Sequence, residues 1–155
     1  MNFISHSSSE TKSIGRQIAA TLTGGEVVLL SGELGAGKTT LVKGMAEFFG
    51  ISEGEITSPT FTLLNIHEIT GYSDEADEKK SSPNGKITGL AHIDTYRLKN
   101  EKELLEIGAE DYLGDPSCLT IIEWPEKINN LLKGKKLRRI ILKHLDEETR
   151  EISME

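Results

Sequence analysis

Apolar positions recur along the chain with two periods, and the period switches at glycines. Ile14, Ile18, Ala19 and Leu22 fall at helical spacing behind Ser7-Ser-Ser-Glu10, a capping-box pattern that predicts a helix over 8–22. Gly24-Gly25 stops it, and Val27-Val28-Leu29-Leu30 follows with no polar position, as expected of a strand buried on both faces of a parallel sheet. A glycine-rich loop comes next, then a helix carrying Leu41, Val42, Met45, Phe48 and Phe49 over 40–49. Further strands are predicted over 61–66, 90–93 and 119–122, with a closing pair over 137–145 and 151–154 joined at Asp146-Glu-Glu. Asn100 and Glu103 are placed to cap a helix through Leu104, Leu105 and Ile107, and a second short helix carries Ile128, Leu131 and Leu132.

Between two of these strands, 70–88 is rich in Ser, Asp, Glu, Lys and Gly around Pro83-Asn-Gly85 and reads as a solvated loop insertion. Strands alternate with helices without an internal repeat or a linker. The expectation is one domain over 1–155, a three-layer α/β arrangement with a mixed, mainly parallel central sheet.

The order strand, glycine loop, helix gives Gly32-Glu-Leu-Gly-Ala-Gly-Lys-Thr39 its chemical meaning. Glycines let the chain turn and approach a ligand closely, and successive backbone N–H groups form a concave nest for phosphate oxygens. The helix that begins near Lys38 turns its positive dipole end toward the same anion. Candidate nucleotide-binding residues are therefore Glu33, Leu34, Gly35, Ala36, Gly37, Lys38, Thr39 and Thr40. Lys38 is expected to reach the β- and γ-phosphates, and the Thr39 hydroxyl to meet Mg²⁺. No Asn-Lys-x-Asp guanine reader is present, which disfavours GTP.

Phosphoryl chemistry also requires an acid near the metal, at the end of a neighbouring buried strand. Leu119-Thr-Ile-Ile-Glu123 and Leu90-Ala-His-Ile-Asp94 both end in one. Glu123 is read as a metal ligand beside Thr39, and Asp94 as the group that orients or deprotonates an attacking water, so the catalytic set is Lys38, Asp94 and Glu123. Ser58-Pro59-Thr60 falls where related folds keep a γ-phosphate sensor, and a rigid proline turn is the competing reading. Ser58, Thr60 and Trp124 are the candidate switch or partner contacts, with packing the alternative for Trp124. His6, His67, His92 and His144 lack metal-ligand spacing and receive no role. Asp111-Tyr-Leu-Gly114 matches a GTPase pattern but follows a helix, and is read as coincidence.

A net charge of -7 argues against a broad grip on nucleic acid by this chain alone. Residues 133–139 carry five basic side chains in seven positions, either a solvated turn or a docking site for RNA or an acidic partner. Cys118, the single cysteine, sits in an apolar run and reads as a buried core residue. With neither a secretory leader pattern nor a membrane-length apolar run, a cytoplasmic chain without membrane contact is expected. Two other classes use the same loop. One is a small-molecule kinase, which usually supplies lid arginines that no Arg-rich segment here provides; the other is a nucleotide-gated binding module with little hydrolysis of its own.

Taken together, the motifs resemble the TsaE family, the P-loop ATPases of bacterial threonylcarbamoyladenosine (t6A) synthesis on tRNA. The matching pieces are the glycine loop through Thr40, Ser58-Pro-Thr-Phe-Thr-Leu63, His92-Ile-Asp-Thr-Tyr-Arg-Leu98, Glu103-Leu-Leu-Glu-Ile-Gly108 and Ile122-Glu-Trp-Pro-Glu126, in family order across most of the chain. The resemblance implies a P-loop NTPase fold and ATP hydrolysis with Mg²⁺ on Thr39 and Glu123. It also implies functional sensitivity at Asp94 and Trp124, and places Thr11 near the nucleotide base. The implied partners are TsaD and TsaB, with tRNA contacted mainly through them and the ATPase supporting turnover of the modifying complex. The insertion 70–88 is longer than the resemblance leads one to expect.

Overall fold

Val27, Val28, Leu29 and Leu30 are each no more than 1% exposed and lie at the middle of a seven-stranded sheet. The computed structural model describes residues 1–69 and 87–155, so 70–86, most of the insertion, lies outside the described residues. The strands are β1 (Asn2–Ser5), β2 (Glu26–Gly32), β3 (Leu64–Glu68), β4 (Gly89–Asp94), β5 (Cys118–Glu123), β6 (Lys136–His144) and β7 (Arg150–Met154), in the order β1-β7-β6-β2-β5-β4-β3. β6, β2, β5 and β4 run parallel through the centre, while β1 and β7 at one edge and β3 at the other join antiparallel. The sheet is mixed with a parallel centre, as the sequence predicts.

Because side chains alternate across a strand, the sheet feeds two cores. Val28, Leu30, Ile121 and Ile140 pack against α1 (Ser8–Ala19) and α2 (Lys38–Phe48). Val27, Leu29, Ile93 and Ile122 pack on the opposite face with Leu104 of α3 (Lys102–Glu106), Ile128 and Leu132. Two apolar layers around one sheet make this the three-layer α/β fold of P-loop NTPases. α1 and α2 meet backbone to backbone: a Cβ on Gly44 would lie 2.1 Å from the Lys12 carbonyl oxygen, and one on Gly15 2.5 Å from that of Leu41.

Local chemistry explains where the elements depart from expectation. Ser7 caps α1 by accepting from the Glu10 amide, but the Glu10 carboxylate reaches back to His6 rather than to Ser7. The helix closes at Ala19, and Leu22 enters the core from a turn. β3 starts at Leu64 and not at 61, because Leu63 takes a left-handed φ of 65° and its amide bonds back to Pro59; Phe61 is left 81% exposed. Asn100 and Glu103 accept from the amides of Lys102 and Lys99 around the start of α3, while Glu101, at the cap position itself, makes no side-chain cap bond. The helix expected around Ile128 is instead a 3-10 turn (Pro125–Lys127) and further turns, where Asn129 and Asn130 bond outward to Glu126 and Glu101. Ile128 and Leu132 are buried all the same, and Leu131 is partly buried against them. β1 is an addition, too short and too exposed to leave a periodic signal. Ile87 and Thr88, the end of the expected insertion, belong to the folded body: Ile87 is 2% exposed and Thr88 pairs with Ile69 and Ser117. Cys118 is buried, and burial pushes its thiol pKa up.

Glu26, fully buried at the start of β2, collects much of the basic run. It accepts from the Thr23 amide, Arg138 and Lys136, while Lys135 donates to the Leu113 carbonyl. Burial raises the Glu26 carboxyl, but these donors outweigh it and hold the pKa below the usual 4.5. The folded value is the lower one, so this stabilisation is complete above the unfolded pKa and is lost as pH falls through the folded one. Glu26→Gln is expected to cost about 1–2 kcal/mol near neutral pH, discounted because Lys136 and Arg138 are partly exposed. Urea unfolding of both proteins at neutral and strongly acidic pH checks this: the gap should close in acid, and an equal gap at both would refute it.

Candidate functional site

The glycine loop leaves β2 and enters α2 as the sequence requires. At Gly32 a Cβ would lie 2.5 Å from the Leu142 carbonyl oxygen, so no side chain fits there. Gly37, at φ 99°, precedes α2 and offers no side-chain cap. The amides of Lys38, Thr39 and Thr40 therefore begin an eleven-residue helix without intrahelical acceptors, the arrangement that binds anions. Lys38 is only 5% exposed; its ammonium donates to the carbonyls of Gly32 (2.7 Å) and Glu33 (2.9 Å) and stands 3.8 Å from the centre of the Trp124 ring. Burial lowers its pKa, opposed by the negative charges of Glu123, Asp94 and Glu126.

Parallel pairing sets Glu123 beside Leu30 on β2 and beside Asp94 on β4, which brings both acids to the loop. Glu123 Oε1 accepts from the Thr39 hydroxyl at 3.0 Å and from His92 Nε2 at 2.8 Å. Asp94 Oδ2 accepts from the hydroxyls of Ser58 (2.9 Å) and Thr60 (3.0 Å), and its Oδ1 from the Tyr96 amide (2.8 Å). The 58–60 segment is thus fastened to the acid at the end of β4. Trp124 turns the chain out of β5 in a left-handed conformation (φ 60°), with its amide on the Leu30 carbonyl and its ring 4.9 Å from that of Tyr96. Thr95 holds this turn by donating to the carbonyls of Glu123 and Trp124.

A cavity of about 650 Å³ opens above these groups, within the size range of small-molecule and cofactor sites. Of the residues singled out in the sequence, Leu34, Gly35, Gly37, Lys38, Thr39 and Thr40 line it from the loop side. Ser58, Thr60, Asp94, Glu123 and Trp124 line it from the other. Glu33 contributes only its carbonyl to Lys38, and Ala36 is buried beneath the loop. Thr11 does not line the cavity: it is 1% exposed, and its hydroxyl bonds to Ser5 (2.7 Å) and to the Ser7 carbonyl (3.1 Å).

Phe61, Tyr96 and Arg97 also line the cavity, Arg97 lying over the Phe61 ring at 4.3 Å. Sequence reasoning gave none of them a site role, nor His92. For His92 a signal existed: residues two apart on a strand share a face, so His92 and Asp94 must point the same way. Asp111 lies in a 3-10 turn and is not among the lining residues.

Among the described residues, no group of three or more His, Cys, Asp or Glu side chains is arranged to hold a metal ion. Hard oxygen donors that line the cavity include the Thr39 hydroxyl and the Glu123 and Asp94 carboxylates. Such a set suits Mg²⁺, which usually takes one or two protein oxygens and completes its shell with phosphate and water. Among the described residues, no helix is long and apolar enough to cross a membrane.

A family model described as threonylcarbamoyl adenosine biosynthesis protein TsaE matches residues 5–152. The chain is 37% identical to the tRNA threonylcarbamoyladenosine biosynthesis protein TsaE of Treponema pallidum, covering 99% of each chain. It is 35% identical to the proteins of that name from Rickettsia bellii (95% of this chain, 89% of that one) and Bacillus subtilis (93% and 78%). Among solved structures, Bacillus subtilis YdiB superposes with a TM-score of 0.67 at 30% identity, over 99% of this chain and 83% of that one. Sequence and fold agree: the chain belongs to the TsaE family of tRNA threonylcarbamoyladenosine biosynthesis proteins.

Proposed function

We propose that this chain binds ATP with Mg²⁺ in the cavity and hydrolyses it, slowly alone and faster with TsaD and TsaB, in support of t6A modification of tRNA. The observation that carries the reading is the Thr39–Glu123 hydrogen bond beneath Lys38. It joins the anion-binding end of α2 to the acid at the end of β5. Thr39 and Glu123 would hold Mg²⁺, which would supply charge neutralisation to the phosphates. The free amides at the start of α2 hold phosphate oxygens, and the Lys38 ammonium exchanges the carbonyls of Gly32 and Glu33 for them. Thr39, by giving its proton to Glu123, keeps its oxygen lone pairs for the metal. Asp94 keeps the 58–60 segment at the cavity and, with three hydrogen bonds accepted, retains one unshared lone pair on Oδ1 for a water, since a carboxylate accepts about four.

Trp124 is the single tryptophan and sits on Lys38, so the protein carries its own reporter. Titration with ATP and Mg²⁺ is expected to change its emission as the ammonium moves to phosphate, and phosphate release should follow. Adding TsaB, TsaD and tRNA is expected to raise turnover. No emission change and no nucleotide affinity would remove the reading, and indifference to the partners would remove the assembly role.

A further inference from the structure

His92 is the polar residue here that neither the motif reading nor the mechanism above uses. It lies on β4, fully buried, and Leu90 two residues earlier occupies the same face with an apolar side chain. Its Nε2 is 2.8 Å from Glu123 Oε1, while its Nδ1 is buried with no hydrogen-bond partner among the described residues. The two facts together define the ring. With Glu123 ionised, Nε2 carries the proton and donates, and Nδ1 keeps a bare lone pair, since a proton there would be a buried donor without an acceptor. The same carboxylate oxygen takes the Thr39 hydroxyl at 3.0 Å. Among the described residues, no hydrogen bond reaches the other oxygen, Oε2, although Glu123 lines the cavity.

We propose that His92 is a positioning residue that pins Glu123 Oε1 against Thr39 and so fixes the rotation that presents Oε2 to the cavity. A carboxylate held by one donor swings about its last torsion, which is broad and two-fold. A second donor on the same oxygen, from a ring locked in the sheet, removes that freedom. The role rests on the Mg²⁺–ATP reading given above, and the hydrogen bond itself is testable without it.

Two substitutions separate positioning from packing. His92→Leu preserves bulk and removes the donor, whereas His92→Gln can return an N–H near the place of Nε2. His92→Leu is expected to raise the Mg²⁺ concentration for half-maximal ATP-dependent Trp124 response about 10–100-fold, the usual loss when a group behind a metal ligand is removed. ATP affinity measured in EDTA should stay at the wild-type value, and His92→Gln should recover most of the Mg²⁺ response. An unchanged Mg²⁺ requirement overturns the proposal. So does an equal loss with and without Mg²⁺, which would mark a merely structural residue.

Nitrogen-15 NMR of the histidines in the wild-type chain covers the case in which His92→Leu does not fold. The Nε2–H tautomer, with resonances that shift in Glu123→Gln, is expected; the Nδ1–H tautomer or no shift overturns the proposal. A wild-type chain that ignores Mg²⁺ and ATP would instead overturn the nucleotide reading, and the tautomer measurement would still decide the His92–Glu123 link.

Discussion

Replacing Lys38 with Ala is expected to weaken Mg²⁺–ATP binding about 100-fold and to bring hydrolysis to background. The size follows from what the ammonium does. A hydrogen bond to a charged group contributes about 1.5–3 kcal/mol, and each 1.4 kcal/mol is a factor of ten in affinity, so one or two lost phosphate contacts give two orders of magnitude. The side chain is poorly replaced because nothing else cationic lines the loop side of the cavity among the described residues. Calorimetric titration of ATP into both proteins measures the loss. Thermal unfolding of the same samples shows whether fold is affected, since Gly32 and Glu33 lose a donor and Trp124 a neighbour. Wild-type affinity in a folded Lys38→Ala protein would leave the cavity without its assigned ligand.

Glu123→Gln should separate binding from chemistry. The amide keeps the size and one carbonyl acceptor for Thr39 or His92, but the negative charge is gone. Turnover is expected to fall about 10²–10³-fold, the loss typical when one preorganised electrostatic group is deleted from an active site. ATP affinity without Mg²⁺ should hold or improve, because a carboxylate facing the phosphates has been neutralised. Phosphate release across a Mg²⁺ series tests this, and a variant with the wild-type rate and metal dependence would refute the role of Glu123.

How much of this was legible before the structure depends on how local each determinant is. The glycine loop is a contiguous segment with a strand before it and a helix after it, so Lys38, Thr39 and the amides were readable from eight residues. Asp94 and Glu123 were readable because each ends a run of apolar strand residues, and a polar residue there lies where a strand opens to the cavity. For His92 only the shared face with Asp94 was readable; its partner is set by the register of β4 on β5, a pairing across 31 positions that no linear spacing encodes. Phe61 was read as strand because its composition is β-like, and the structure makes it a projecting turn through the backbone of Leu63. Ile128, Leu131 and Leu132 were read as a short helix that did not form, yet Ile128 and Leu132 are buried: burial follows hydrophobicity, whereas helix type follows Asn129 and Asn130. Thr11 came only from family resemblance, and its hydroxyl serves the start of α1.

The crossing of α1 and α2 at Gly15 and Gly44 has a mechanical consequence. Where helices meet through side chains, rotamer changes let one slide on the other; at these two glycines backbone faces backbone, and at the crossing no side chain lies between to deform. Arg16 of α1 pairs with Glu47 of α2 from outside, and Lys12 of α1 and Lys43 of α2 both pair with Glu53 in the turn that follows α2. The two helices therefore travel as a single block, and α2 cannot ratchet when a ligand sits at its tip. Adjustment around a bound molecule falls to the exposed side chains opposite, Phe61, Tyr96 and Arg97, in segments for which the Asp94 carboxylate is the hinge pin.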